Sequence, residues 1–191
     1  MARRTVEVLP VGPDEVGELT GLWLASRVDS GISQEVASRA AADGRLATAI
    51  ERGDVEAHLA RIDGVACGFV VTSENPFGLC ATPELAIELL YVESSARRHG
   101  VAKTLLATVL GHAERTGCEV VVSNVPSQSR EANRFFARLG FGAVLVRRVS
   151  TTAQLRRKLS PEVGEGGLEV LRRRRSLRSR ALGGPTRPRS A

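Results

Sequence analysis

Arg97-x-x-Gly100-x-Ala102 is the segment whose residue types and spacing read most directly as chemistry. It stands between an apolar run, Leu85 to Val92, and a stretch of helical periodicity that follows it. The first N–H groups of a helix lack intrahelical partners and the helix dipole adds partial positive charge, so that end stabilises an anion. Gly100 would let the backbone approach phosphate oxygens with no side chain in the way, and Arg97 and Arg98 add positive charge beside it. Diphosphate is the guest such a loop suits. Alone, the motif is short enough to occur by chance, and a packed strand, loop and helix with a solvated arginine pair fits the same residues.

The other chemistry-bearing side chains give weaker patterns. His58, His99 and His112 are too scattered to suggest a metal site or a triad, and no metal is expected. Cys67, Cys80 and Cys118 are odd in number and lack a second Cys or His at metal-ligand spacing, which reads as buried free thiols in a reducing compartment. Trp23 and Tyr91 read as core or pocket wall.

The elements that must position the loop follow from periodicity and turn residues. Thr5 to Val8 reads as a first strand, ended by Pro10, Gly12 and Pro13, after which Asp14 is placed to cap a helix through Leu19, Leu22 and Trp23. Ser33 to Arg52 reads as helix bent at Gly44. Asp63-Gly64 joins two strands, Ala57 to Ile62 and Val65 to Thr72, because Asp-Gly suits the positive φ values of a type I′ hairpin. Leu85 to Val92, apolar except for Glu88, suits a strand covered on both faces. Ala102, Leu105, Leu106, Val109, Leu110 and Ala113 recur at helical steps, and Gly117 ends that helix. Glu119 to Val125 then reads as a strand, and strand, helix, strand implies a right-handed crossover and a parallel pair. Ser129 to Leu139 reads as a helix and Phe141 to Val149 as a closing strand.

Composition allows one substantial core. The formal charge of +6 is unevenly spread: residues 156–191 hold eleven Arg and Lys against three Glu, leaving sixteen against eighteen in residues 1–155. Beyond about Leu159 the Gly-, Pro- and Arg-rich end cannot bury enough apolar surface to offset its ordering entropy, so disorder or, at most, a short helix is expected there. The expected organisation is a domain over residues 1–155 and a basic tail over 156–191. The N-terminus has no apolar run long enough for a signal peptide or membrane span, so a cytoplasmic protein without membrane contact is expected.

Leu90-Tyr91-Val92-Glu93-Ser94-Ser95-Ala96-Arg97-Arg98-His99-Gly100-Val101-Ala102-Lys103-Thr104-Leu105-Leu106 resembles the acetyl-CoA motif of the GCN5-related N-acetyltransferases in place and order. Ala132-x-x-Phe135-Phe136-x-x-x-Gly140-Phe141 is similar to the family's last helix and the start of its final strand. The resemblance covers roughly residues 5 to 150. It implies an α/β (α+β) fold with a mixed, mostly antiparallel sheet, a central splayed parallel strand pair, and helices on both faces. It further implies acetyl-CoA as co-substrate, with the pantetheine arm bonded to backbone around Leu90, Tyr91 and Val92. The adenine end would lie over Arg97, Arg98, His99, Gly100, Val101, Ala102 and Lys103.

Acetyl transfer to an amine needs a base, commonly a carboxylate acting directly or through water. Glu88 is the first candidate because it interrupts an apolar strand, where partial burial would favour a carboxyl group's proton-bearing form. Glu119 is second and Glu93 third; each also suits a solvent-facing or salt-bridged role. The family's usual acid is a tyrosine in the last helix, and the aligned residue is Phe136, which has no proton to give. Seven residues before it stands Ser129, where many members have asparagine, so Ser129 is the candidate for that polar contact to the cofactor.

The implied activity is N-acetylation of a primary amine, of a small molecule or of a peptide, by direct attack in a ternary complex. The acidic residues Asp14, Glu15, Glu18, Asp29, Glu35, Asp43 and Glu51 fit either a rim for a cationic acceptor or solvated helix faces. An acyl-CoA-binding regulator without turnover is the alternative that Phe136 raises. The tail raises another, nonspecific contact with nucleic acid or the ribosome, since it has charge but no aromatic residue to stack on bases. Family members are often dimers, so the resemblance leaves both a homodimer and a monomer open, and no interface is legible.

Overall fold

The structure, a computed structural model, describes residues 5–75, 82–145 and 148–159. The chain divides into two compact units, residues 1–142 and 143–191. In the first, the elements run β1 (Val6–Pro10), α1 (Val16–Asp29), α2 (Gln34–Ala42), α3 (Arg45–Glu51), β2 (Glu56–Ile62), β3 (Val65–Asn75), β4 (Glu84–Val92), α4 (Val101–Thr116), β5 (Val120–Ser123) and α5 (Arg130–Arg138). They form one sheet of order β1-β2-β3-β4-β5, antiparallel except for the parallel pair β4–β5.

Local chemistry explains most of these boundaries. Asp63 and Gly64 take φ values of 53° and 80°, the paired positive angles of the expected type I′ turn, and hold β2 and β3 in register. Gly44, at φ 64°, separates α2 from α3 where the bend was expected. Asp14 does not cap α1 as the sequence suggested: the chain enters through a turn of 3-10 helix, and Glu15 instead reaches back to the Gly12 N–H at 2.8 Å.

Two apolar layers cover the sheet. Leu85, Ile87, Leu90 and Val92 of β4 pack with Val101, Leu105 and Val109 of α4 on one face. Leu89 and Tyr91 pack with Leu19, Leu22 and Trp23 of α1 and Phe69 of β3 on the other. Burial of β4 from both sides explains why its sequence reads as an almost unbroken apolar run. Cys67 and Cys118 are buried free thiols, as expected, and burial raises the Cys67 thiol above its ordinary value; Cys80 lies outside the described residues.

The chain departs from expectation at the closing strand. Residues 141–145 and 148–149 form no strand, with 146–147 outside the described residues, because no ladder partner pairs with this β-branched segment. Phe141 instead packs edge-on against Phe136, with ring centroids 5.0 Å apart. The parallel pair therefore lies at the sheet edge among the described residues. The second unit contains α6 (Thr152–Leu159), opened by a reciprocal capping box between Thr151 and Gln154. The arginine-rich remainder of the tail, 160–191, lies outside the described residues.

Candidate functional site

The parallel ladder between β4 and β5 is short. It runs from Glu84 opposite Val120 to Ile87 opposite Ser123, where β5 ends while β4 continues to Val92. The two chains thus fork. The Glu93 N–H donates to the Cys67 carbonyl at 2.9 Å, which turns the backbone groups of Glu93 and Tyr91 toward β3. By strand alternation the N–H and C=O groups of Leu90 and Val92 face the fork. A row of main-chain donors and acceptors on an open strand edge can hold an extended, amide-bearing molecule as an added strand would be held.

Past β4 the chain turns through Arg97 to Gly100 into α4. Arg98 has φ 66° and Gly100 φ 88°, two left-handed residues that swing the loop so that the N-terminus of α4 ends it. No side chain caps that terminus, and a methyl group built on Gly100 would meet nothing within 4 Å, so the way to the first helical N–H groups is clear. An open helix N-terminus of this kind is the geometry that an anion cradle requires. Arg98, His99 and Lys103 are exposed around it, with Val101 buried and Ala102 half-buried beneath. His99 Nδ1 lies 2.9 Å from the Arg97 carbonyl, a contact that fits the Nδ1-protonated tautomer and stiffens the loop.

Arg97 is placed differently from its neighbours. Its Nε donates to the Val92 carbonyl at 3.2 Å, and its terminal nitrogens lie 3.8 Å from Asp29 Oδ2 and 3.5 Å from Glu131 Oε2. Tyr91 Oη donates to the same Asp29 oxygen at 2.9 Å. Burial and then the Asp29 carboxylate push the Tyr91 phenol up to about 12. Sequence reasoning assigned Tyr91 and Arg97 but missed Asp29 and Glu131 as their partners; Asp29 stands 62 residues from Tyr91.

The carboxylates proposed from sequence separate. Glu88 is the extra residue of a β-bulge: Val71 pairs with Leu89 and Thr72 with Ile87, and Glu88 between them has no partner across the ladder. It directly follows Ile87, the last residue of β4 paired with β5, at the apex of the fork. There it is exposed rather than half-buried, and accepts a hydrogen bond from Ser73 Oγ at 2.7 Å. Glu119, also exposed, precedes β5 at the closed end of the parallel pair, away from the open end of the fork; its place in the fold does not suit the role of base considered from sequence. Glu93 is half-buried where β4 ends.

Ser129 is half-buried at the N-terminus of α5, with its carbonyl accepting from the Asn133 side chain at 2.8 Å. Phe136 is buried and stacked edge-on between Phe135 and Phe141, a core residue with no hydroxyl. Several of the acids on or between α1, α2 and α3 have ion-pair partners: Glu18 with Arg61 of β2 at 3.0 Å, Glu35 with Arg39 at 3.0 Å and Asp43 with Arg45 at 3.1 Å. Among the described residues no group of three or more His, Cys, Asp or Glu could hold a metal ion, and no helix is long and apolar enough to cross a membrane.

Comparison with known proteins bears on this arrangement. The chain is 31% identical over 86 residues to the aminoglycoside N(6')-acetyltransferase type 1 of Salmonella typhimurium; the match spans 44% of this chain and 59% of that protein. The aminoglycoside N-acetyltransferase AAC(6')-Iy, solved in complex with CoA, superposes with a TM-score of 0.63 at 21% identity, over 78% of this chain and 95% of that one. A ribosomal-protein-alanine N-acetyltransferase from Brucella melitensis biovar Abortus superposes with a TM-score of 0.59, also at 21% identity, over 77% of this chain and 99% of the other. Identities this low show a shared fold. The model of the Acetyltransferase (GNAT) family matches residues 14–141, which spans both the strand fork and the N-terminus of α4, and this chain belongs to that family.

Proposed function

We propose that this chain is an acetyl-CoA-dependent N-acetyltransferase acting on a primary amine. The observation that carries the reading is the fork: β4 outruns β5 from Ile87 to Val92, and the uncapped N-terminus of α4 lies beyond it. A ligand with an amide-bearing arm and an anionic diphosphate matches both parts. Leu90 and Val92 would bond the arm through their backbone, while the N–H groups of Val101, Ala102 and Lys103, with Arg98 beside them, would hold the anion. Acetyl-CoA supplies an activated acyl group on a thiol that leaves readily.

The chain's own contribution is placement and proton handling. Fork-facing N–H groups fix the acyl donor, and an amine held beside it gains the rate advantage of intramolecular geometry within a ternary complex. Glu88 is assigned the base. It stands at the apex of the fork, exposed to an incoming amine, with its carboxylate oriented by Ser73. Phe136 cannot serve as acid, so the departing thiolate takes its proton from water.

The paired state of Glu18, Glu35 and Asp43 removes much of the acidic rim as an argument for a polycationic acceptor. The relatives' names offer two acceptor classes, aminoglycosides and an alanine of a ribosomal protein. Incubating the protein with acetyl-CoA and separately with an aminoglycoside, spermidine and an alanine-terminated peptide, then measuring free thiol and product mass, tests the reading. One-acetyl mass gain in an amine, lowered about a hundredfold by Glu88→Gln, is expected. An acetylated amine formed equally fast by the Gln variant would remove Glu88 from the mechanism. Saturable acetyl-CoA binding with no turnover of any amine would favour the regulator.

A further inference from the structure

Arg97 is the first residue of the anion-binding motif, yet its guanidinium is committed elsewhere. Nε is held by the Val92 carbonyl, one of the fork-facing backbone groups, and the terminal nitrogens lie beside carboxylates from two other elements. Asp29 comes from the end of α1 and Glu131 from the first turn of α5, so a single side chain links α1, the mouth of the fork and α5. Tyr91, by donating to Asp29, fixes that carboxylate against β4. We propose that Arg97 is a two-position residue: in the free chain it bars the mouth of the fork, and the anionic part of acyl-CoA must draw it away from Asp29 and Glu131 to bind.

This proposal rests on the acyl-CoA reading above. Its physical basis is competition: a guanidinium has five donors in a fixed plane, and those facing Asp29 and Glu131 cannot face a phosphate at the same time. The side chains of Arg97 and Asp29 are 41% and 45% exposed, and that of Glu131 is 82% exposed, so water screens both pairs and release is inexpensive. The bar therefore tunes affinity instead of preventing entry. It also joins the α1 end to the cofactor loop.

The test is calorimetric titration of the full chain with acetyl-CoA, comparing wild type, Asp29→Asn, Glu131→Gln, and each of these combined with Arg97→Met. Asp29→Asn and Glu131→Gln are expected to bind about two- to fivefold tighter than wild type, and this gain is expected to vanish when Arg97 is Met. Binding by wild type with no gain in either single variant would overturn the proposal and leave the acyl-CoA reading standing. An equal gain with Met at 97 would also overturn it, since the carboxylates would then act by general field and not through Arg97. No binding by wild type would overturn both.

Discussion

The Ser73 hydroxyl donates to the Glu88 carboxylate at 2.7 Å, across the one place where the β3–β4 ladder skips a residue. The bulge puts Glu88 outside the ladder, and the hydroxyl fixes where its oxygen points. The pair is exposed, so water screens it and its contribution falls in the ordinary range of roughly 0.5–1.5 kcal/mol, up to about tenfold in rate. Ser73→Ala should therefore lower kcat/KM for amine acetylation by about tenfold while leaving acetyl-CoA affinity within twofold of wild type, measured by steady-state kinetics and calorimetry. Unchanged kcat/KM would show that Ser73 does not orient the base.

Tyr91 is the single tyrosine of the chain, so an alkaline absorbance titration reads it alone. Burial and the Asp29 carboxylate both oppose loss of its proton, and the midpoint should fall near about 12 instead of the ordinary 10. Asp29→Asn should bring it down while leaving the burial contribution. A wild-type midpoint near 10 would mean that neither the burial of Tyr91 nor its bond to Asp29 persists in solution.

Gly68 pairs with Val92, across β4 from the mouth of the fork, and a methyl group there would sit 2.8 Å from the Tyr91 carbonyl oxygen and 3.2 Å from Val101 Cγ1. Neither the backbone nor a packed core valine can yield without moving β4. Gly68→Ala should destabilise the fold by about 1–3 kcal/mol in urea denaturation, the usual range for overpacking. A loss below about 0.5 kcal/mol would mean that the sheet adjusts there freely.

His58 is buried on β2 with His112 and Arg115 of α4 nearby and the Glu56 carboxylate 3.3 Å from its Nε2. His112 in turn lies 3.0 Å from Glu56 and 3.4 Å from Glu74. Burial lowers the His58 value below 6.5, Glu56 partly offsets this, and the His112 and Arg115 charges add to the lowering. The unfolded chain thus binds a proton that the folded chain resists. Stability present above pH 6.5 should fall as pH drops from there toward the lowered value, by at most about 1.4 kcal/mol per pH unit for one proton. Urea midpoints measured from pH 8 to pH 5, with His58→Gln showing a shallower slope than wild type, would bear this out; identical slopes would assign the pH dependence elsewhere.

The features legible in the sequence were those with local causes. Asp63-Gly64 announces its turn through backbone preference, and the three- and four-residue steps from Ala102 to Ala113 announce α4. The bulge at Glu88 was not legible, because a strand covered on both faces has no polar alternation for an extra residue to interrupt. Phe141 to Val149 has strand-like composition, but a strand exists only with a ladder partner, which composition does not report. Thr151 and Gln154 carry the three-residue spacing of a capping box, the local signal for α6. Asp29 and Glu131 were unreadable as partners of Arg97, since only the fold brings α1 and α5 to the mouth of the fork.

The central claim is that the fork and the α4 terminus hold acetyl-CoA. Gly100 holds φ 88°, a conformation that strains any residue with a Cβ, directly before the first residue of α4. The direct measurement is calorimetric titration of wild type and Gly100→Val with acetyl-CoA, with a thermal melt to confirm that the variant is folded. Saturable one-to-one binding by wild type, weakened at least tenfold in a folded Gly100→Val, is the predicted result. No saturable binding by wild type, or equal affinity in the two proteins, would contradict it.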